Sequence, residues 1–169
     1  MAKKVILGSL LILAAALLQS TVLSRLVVYV RAVPDLALCI LVYSAYVNGI
    51  MTGQLTGFFS GFLLDFLSAS PLGLNAFIRT LTGALAGLLK DTFYLDHFFL
   101  PMCLCAGATL FKAAVFFILH LIFPGAVPAY SFGAPTFWIE LGMNSLLAPV
   151  FFGILKLLKP LHSGKKENA

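Results

Sequence analysis

The stretch Gly49-Ile50-Met51-Thr52-Gly53-Gln54-Leu55-Thr56-Gly57-Phe58-Phe59-Ser60-Gly61-Phe62-Leu63-Leu64-Asp65 sets four glycines at a spacing of four in a run that carries no charge before its last residue. On an α-helix this spacing puts Gly49, Gly53, Gly57 and Gly61 on one face, a flat groove that another helix backbone can approach closely. Asp65 extends the same stripe by one turn. A carboxylate facing lipid costs about 2.5–3.5 kcal/mol on insertion scales, so the glycine face, and Asp65 with it, is expected against protein. Asp65 also falls near the C-terminus of its helix, where the macrodipole disfavours an anion. A compensating group is therefore expected beside it.

The rest of the chain has the same character. Of its 169 residues 61% are apolar and 10% charged, with 11 Lys+Arg, 6 Asp+Glu and a net charge of +5; soluble domains carry about 25% charged residues. So few charges cannot cover the water-facing surface of an 18.2 kDa globule. A soluble enzyme, a disordered chain and a nucleic-acid-binding domain are excluded, since the basic residues are scattered and form no patch. Cys39, Cys103 and Cys105 lie in apolar runs without a CxxC pattern, which gives neither a disulfide framework nor a zinc site. No metal and no cofactor is expected.

Working outward from the glycine run, a span of a bilayer core of about 30 Å takes about 20 apolar residues. Breaks at Asn48-Gly49, Ser70-Pro71-Leu72-Gly73, Lys90 to His97 and the Pro/Gly-rich 124–135 predict spans at about 5–23, 35–47, 50–68, 73–89, 98–123 and 136–158. The first is read as a retained anchor, because no small-x-small cleavage site follows it. Short basic flanks prefer the cytoplasm. Lys3 and Lys4 at one end, and Lys156, Lys159, Lys165 and Lys166 at the other, place both termini inside and require an even number of spans. Lys90 then also falls inside, with Arg25 and Arg31 as outer exceptions. Tyr29, Tyr94, Tyr130 and Trp138 come near interfaces, where amphipathic rings are favoured. The expected fold is an all-α polytopic integral membrane helix bundle, six transmembrane helices in a single domain 1–169, with cytoplasmic N and C termini.

Several polar groups fall inside these spans. The fourth carries Ala76, Arg79, Gly83 and Gly87, a second small-residue stripe. Counted from Pro71 at about 1.5 Å per residue, Asp65 lies about 9 Å down one arm and Arg79 about 12 Å down the other, so an Asp65–Arg79 salt bridge is expected to lock this hairpin. Lys112 and His120 on the fifth span, with Glu140 and Asn144 on the sixth, are read as interhelical polar contacts or as the lining of a cavity open to the outer face. His120 and Glu140 match in depth; Lys112 lies deeper. No HExxH, Walker loop or level carboxylate pair occurs, and Gly57-Phe58-Phe59-Ser60-Gly61 has one residue too many for a glycine-serine protease site. Catalysis is not expected.

The run from Val33-Pro34-Asp35-Leu36 through Gly61-x-x-x-Asp65, Ser68 and Pro71-Leu72-Gly73 resembles the rod shape-determining MreD family. Leu18-Gln19-Ser20-Thr21 near the start and Asn144 followed by Pro149 in a last apolar helix ending in lysines fit the same pattern. Arg79 departs from it, since that position is apolar in the family pattern. The resemblance implies a multi-pass protein of the bacterial inner membrane, a non-enzymatic component of the machinery that synthesises peptidoglycan during cell elongation. It implies association with the single-span partner MreC and, in a wider complex, with the MreB filament and the elongation transpeptidase and glycosyltransferase. It also implies a membrane fold similar to the substrate-binding subunits of energy-coupling-factor transporters. That similarity supplies the alternative function, a vitamin-type small-molecule capture subunit with an outward cavity lined by Asp65, His120, Glu140 and Asn144. Gly49, Gly53, Gly57, Gly61, Gly83 and Gly87 are the expected helix-packing or partner interface.

Overall fold

The computed structural model describes residues 2–23, 32–68, 71–92, 98–128 and 131–157. Every regular element among them is helical: α1 (Ala2–Leu18) runs into a π-helical stretch (Gln19–Leu23) and is followed by α2 (Leu36–Asn48), α3 (Ile50–Leu67), α4 (Leu74–Leu88), α5 (Phe99–Ile122) and α6 (Pro135–Leu157). Four are long and apolar enough to cross a membrane, namely α1 with its extension to Thr21, α3, α5 and α6. Arg25, Tyr29, Arg31, Tyr94, His97, Tyr130, Lys159, Lys165 and Lys166, for which positions are expected above, lie outside the described residues.

The helix α2 has 13 residues, about 20 Å at 1.5 Å per residue, well short of a bilayer core. It is apolar on every side, and Leu36 to Tyr46 are all buried. A helix without a polar face belongs at a centre, and all five other helices pack on this one. Its side chains join Ile12, Leu104, Cys105, Ala148, Phe152 and others in one core, where the Tyr43 and Phe152 rings meet edge to face at 5.0 Å.

A single residue, Gly49, separates α2 from α3, and its φ of +92° is one that a side chain would strain. The pairing of α3 with α4 is the most extensive in the fold, and the glycines explain it. A Cβ on Gly53 would strike the Gly83 carbonyl, one on Gly57 the Arg79 carbonyl, one on Gly61 the Asn75 carbonyl and Ala76 backbone, and one on Gly87 the Ile50 backbone. Each step of four along α3 is matched by four back along α4, so two antiparallel backbones touch directly along their length. The stripe is thus filled within the chain, by α4, and a partner's helix would find this face already occupied.

The opposite face of α3 is aromatic and outward, with Phe58, Phe59, Phe62 and Phe66 exposed; Phe58 and Phe62 stack at 6.0 Å. Exposed leucines, isoleucines and phenylalanines also cover α1, α5 and α6. Such continuous apolar exposure is a membrane-facing surface rather than that of a water-soluble domain.

Candidate functional site

The polar residues form two separate constructions at the end of the bundle that carries Pro71. The first surrounds Asp65, which is 2% exposed. Its Oδ2 accepts from the amides of Gly73 at 2.9 Å and Ala76 at 3.2 Å, and its Oδ1 from the amide and the side-chain Nδ2 of Asn75, both at 3.0 Å. The N-cap residue of α4 is Gly73, which has no side chain with which to satisfy the first-turn amides. Asp65 serves as the cap from the end of the preceding helix. The expected compensating group is therefore the positive end of α4, with the Asn75 amide side chain beside it, and not a cation: an anion at a helix N-terminus is stabilised by amides and dipole together.

This overturns the expected Asp65–Arg79 bridge. The Asp65 oxygens are taken by α4 amides, and Arg79 reaches instead to Asp35, with Nη2 to Oδ1 at 3.4 Å.

Asp35 is the centre of the second construction. As N-cap of α2 it accepts from the Leu38 amide at 2.9 Å. Because α2 is short, this N-terminus lies inside the bundle, where irregular backbone is tolerated only if protein satisfies it. Side chains from other elements do so. Asn144 Oδ1 accepts from the Asp35 amide at 2.7 Å, and Gln19 Oε1 from the Leu36 amide at 3.2 Å. Lys112 Nζ bridges Asp35 Oδ2 and Glu140 Oε1, each at 2.7 Å, and Asn144 Nδ2 donates to Thr109 Oγ1 at 3.0 Å. Two cations face two carboxylates, so the cluster carries no net charge. It ties α2 to α4, α5 and α6 at one point.

Two depth arguments from the sequence fail here. Glu140 pairs with Lys112, not with a group at its own level, because a lysine stem lets its ammonium reach about a turn along the bundle. His120, though level with Glu140, has Nδ1 2.7 Å from the Val127 carbonyl oxygen and closes the turn after α5. Of the four residues expected to line an outward cavity, Glu140 and Asn144 join the Asp35 cluster, Asp65 caps α4 and His120 meets the turn after α5. A smaller well of about 270 Å³ opens beside Asp35 and Arg79. Among the described residues no group of three His, Cys, Asp or Glu could hold a metal ion.

The family model of the rod shape-determining protein MreD matches residues 2–158, a stretch that contains every residue of both constructions. The chain belongs to the MreD family. No curated protein and no solved structure matches it. Membership sets this MreD chain in rod-shape determination, in a family of shape-determining structural proteins, and its four membrane-capable helices fit a membrane protein.

Sequence reasoning missed Asp35 and Gln19 as site residues in this MreD chain. The Pro34-Asp35 pair before an apolar run was legible as a helix start. That Arg79 and Lys112 would need carboxylate partners also pointed to Asp35, one of few acids near the spans.

Proposed function

We propose that this MreD-family chain is a non-enzymatic scaffold of the peptidoglycan-synthesising elongation machinery in the inner membrane. It crosses the membrane six times with both termini cytoplasmic and binds MreC directly, with the MreB filament and the elongation transpeptidase and glycosyltransferase in the wider complex. The observation that carries this reading is the family match over residues 2–158. Charge placement supports the orientation. Lys4 donates to Asn48 at 3.0 Å and the Lys90 side chain lies against Gly49, so these lysines share the end of the bundle opposite Pro71, as expected of a cytoplasmic face. In favour of a scaffold, the charges inside the bundle are met within it, Asp35, Arg79, Lys112 and Glu140 by one another and Asp65 by the amides of α4. The glycine stripe is closed by α4, so the outward apolar faces are the surfaces left for the transmembrane helix of MreC. Association there rests on close packing, because apolar surface gives no hydrophobic drive in lipid.

The test is affinity purification of the tagged protein in mild detergent with identification of its partners. Recovery of MreC and the elongation enzymes is the expected result. Recovery of a transporter ATPase pair, or of nothing while the tagged chain still supports rod shape, overturns the reading. A second reading, a vitamin-type capture subunit of a membrane transporter similar to the energy-coupling-factor class, has one observation in its favour, the polar well beside Arg79.

A further inference from the structure

Five carboxamide side chains fall among the described residues, and four of them are spent inside the chain. Gln19 accepts from the Leu36 amide, Asn48 accepts from Lys4, Asn75 donates to Asp65, and Asn144 bridges Asp35 and Thr109. Gln54 is the fifth. It sits on α3, is only partly buried, and has no hydrogen-bond partner among the described residues. Its depth makes that costly. The helix α3 has 18 residues, about 27 Å at 1.5 Å per residue, so it nearly fills a bilayer core. Gln54 lies about one turn inside the end that carries Lys90, where acyl chains offer a carboxamide neither donor nor acceptor. Its neighbours one turn to either side, Met51 and Phe58, face outward with Phe62 beyond them, 62%, 46% and 42% exposed. Ring contacts from Phe58 to Phe62 at 6.0 Å and from Phe62 to Phe66 at 4.9 Å hold this ridge in order. Met51, Gln54, Phe58 and Phe62 recur at steps of three and four, the seam along which a second parallel helix packs at about +20°.

We propose that this seam joins two copies of the chain, α3 against α3, across a two-fold axis normal to the membrane. The chemistry of Gln54 selects a second copy. A carboxamide is both donor and acceptor, so it complements itself, and two Gln54 side chains exchange a reciprocal pair of N–H to O bonds. An axis along the membrane normal brings each residue to its own counterpart at the same depth. A different partner meets that condition only if its sequence places a polar group at the same level. Carboxamides that bond across helices are the polar contacts that direct association in lipid, with close packing around them, and the ordered Phe58–Phe62 ridge supplies that packing. The contact uses α3 alone. It leaves the apolar faces of α1, α5 and α6 to other helices, so it does not rest on the scaffold reading.

The experiment is energy transfer between donor- and acceptor-labelled full chains in phosphatidylcholine vesicles, followed as lipid is added. Wild-type chains should show transfer that falls on dilution as a monomer–dimer equilibrium. Gln54→Leu should raise the dimer dissociation constant about tenfold, the loss of two interhelical hydrogen bonds. Leu146→Ala, at an exposed apolar position of α6, should leave the constant unchanged. Because Gln54 serves no contact within its own chain, Gln54→Leu should melt at or above the wild-type temperature in dilute micelles. No transfer between wild-type chains, a constant unmoved by Gln54→Leu, or an equal loss in Leu146→Ala overturns the proposal. A lower melting temperature for Gln54→Leu also overturns it, since the side chain then serves the fold. So do wild-type chains that stay monomeric but lose a copurifying membrane protein on Gln54→Leu, which assigns the seam to that protein. Recovery of MreC is read separately, so each of these outcomes leaves the scaffold reading to its own test.

Discussion

Lys112 Nζ stands 2.7 Å from Asp35 Oδ2 and 2.7 Å from Glu140 Oε1, so one ammonium joins the start of the central helix α2 to the middle of α5 and the first turns of α6. The side chains involved are 10–17% exposed, and the contact holds them in a bundle whose outer surface is apolar. Asp35 at the head of α2 satisfies an amide, meets the positive end of that helix and receives two cations at once. The short helix needs this, since its N-terminus is buried inside the bundle.

Lys112→Met should destabilise the folded chain by about 3–5 kcal/mol, because it leaves Glu140 buried without its cation. Adding Glu140→Gln to that variant should restore part of the loss rather than deepen it. A denaturant titration of the single and double variants in micelles checks this; additive losses would show that the two side chains are not coupled.

Asp65→Ala removes the acceptor for three backbone amides and the Asn75 side chain and should cost about 2–4 kcal/mol. Asp65→Asn keeps one oxygen and should cost visibly less. Arg79→Met should not mimic Asp65→Ala in local protection of the α4 amides, since the two residues serve different constructions. Hydrogen exchange at Gly73 to Ala76 distinguishes them.

Gly57→Ala should destabilise by about 1–3 kcal/mol, because its methyl group meets α4 backbone that has no side-chain end to move aside. Gly107→Ala is the internal comparison: a Cβ there meets nothing within 4 Å, and in the interior of α5 alanine should be neutral or stabilising by about 0.5–1 kcal/mol. Paired thermal melts give both signs.

Asn144→Leu should cost about 2–3 kcal/mol, since it orphans the buried Asp35 amide. Asn144→Asp should be worse, as it adds a third carboxylate beside Asp35 and Glu140. The order of the two midpoints is the measurement.

Much of this was readable in the residues. The four-residue glycine period announced a close backbone contact on one side of α3, and the position of Asp65 demanded a compensating group. Neither named its partner. Asp65 was assigned to Arg79 because hairpin geometry allowed that pair, while the amides of α4, which carry no sequence signature beyond Gly73, were nearer and more numerous. Glu140 was matched to His120 by depth, a rule that ignores how far a lysine stem can carry its charge. Asp35 was read only as a helix start, because its other partners, Arg79 and Lys112, are 44 and 77 residues away in the chain.

Composition alone determined that the chain needs a membrane, and periodicity and breaks determined its helical segments, the shortness of α2 and the groove on α3. These are local properties, set by the chemistry of neighbouring residues and by the helical repeat. Only the tertiary structure decided which charges meet and that the groove is closed from within. In an apolar bundle each buried charge must find a partner, but several partners lie within reach. The choice among them follows from where the short central helix ends, and that is fixed by the packing of all five helices around it.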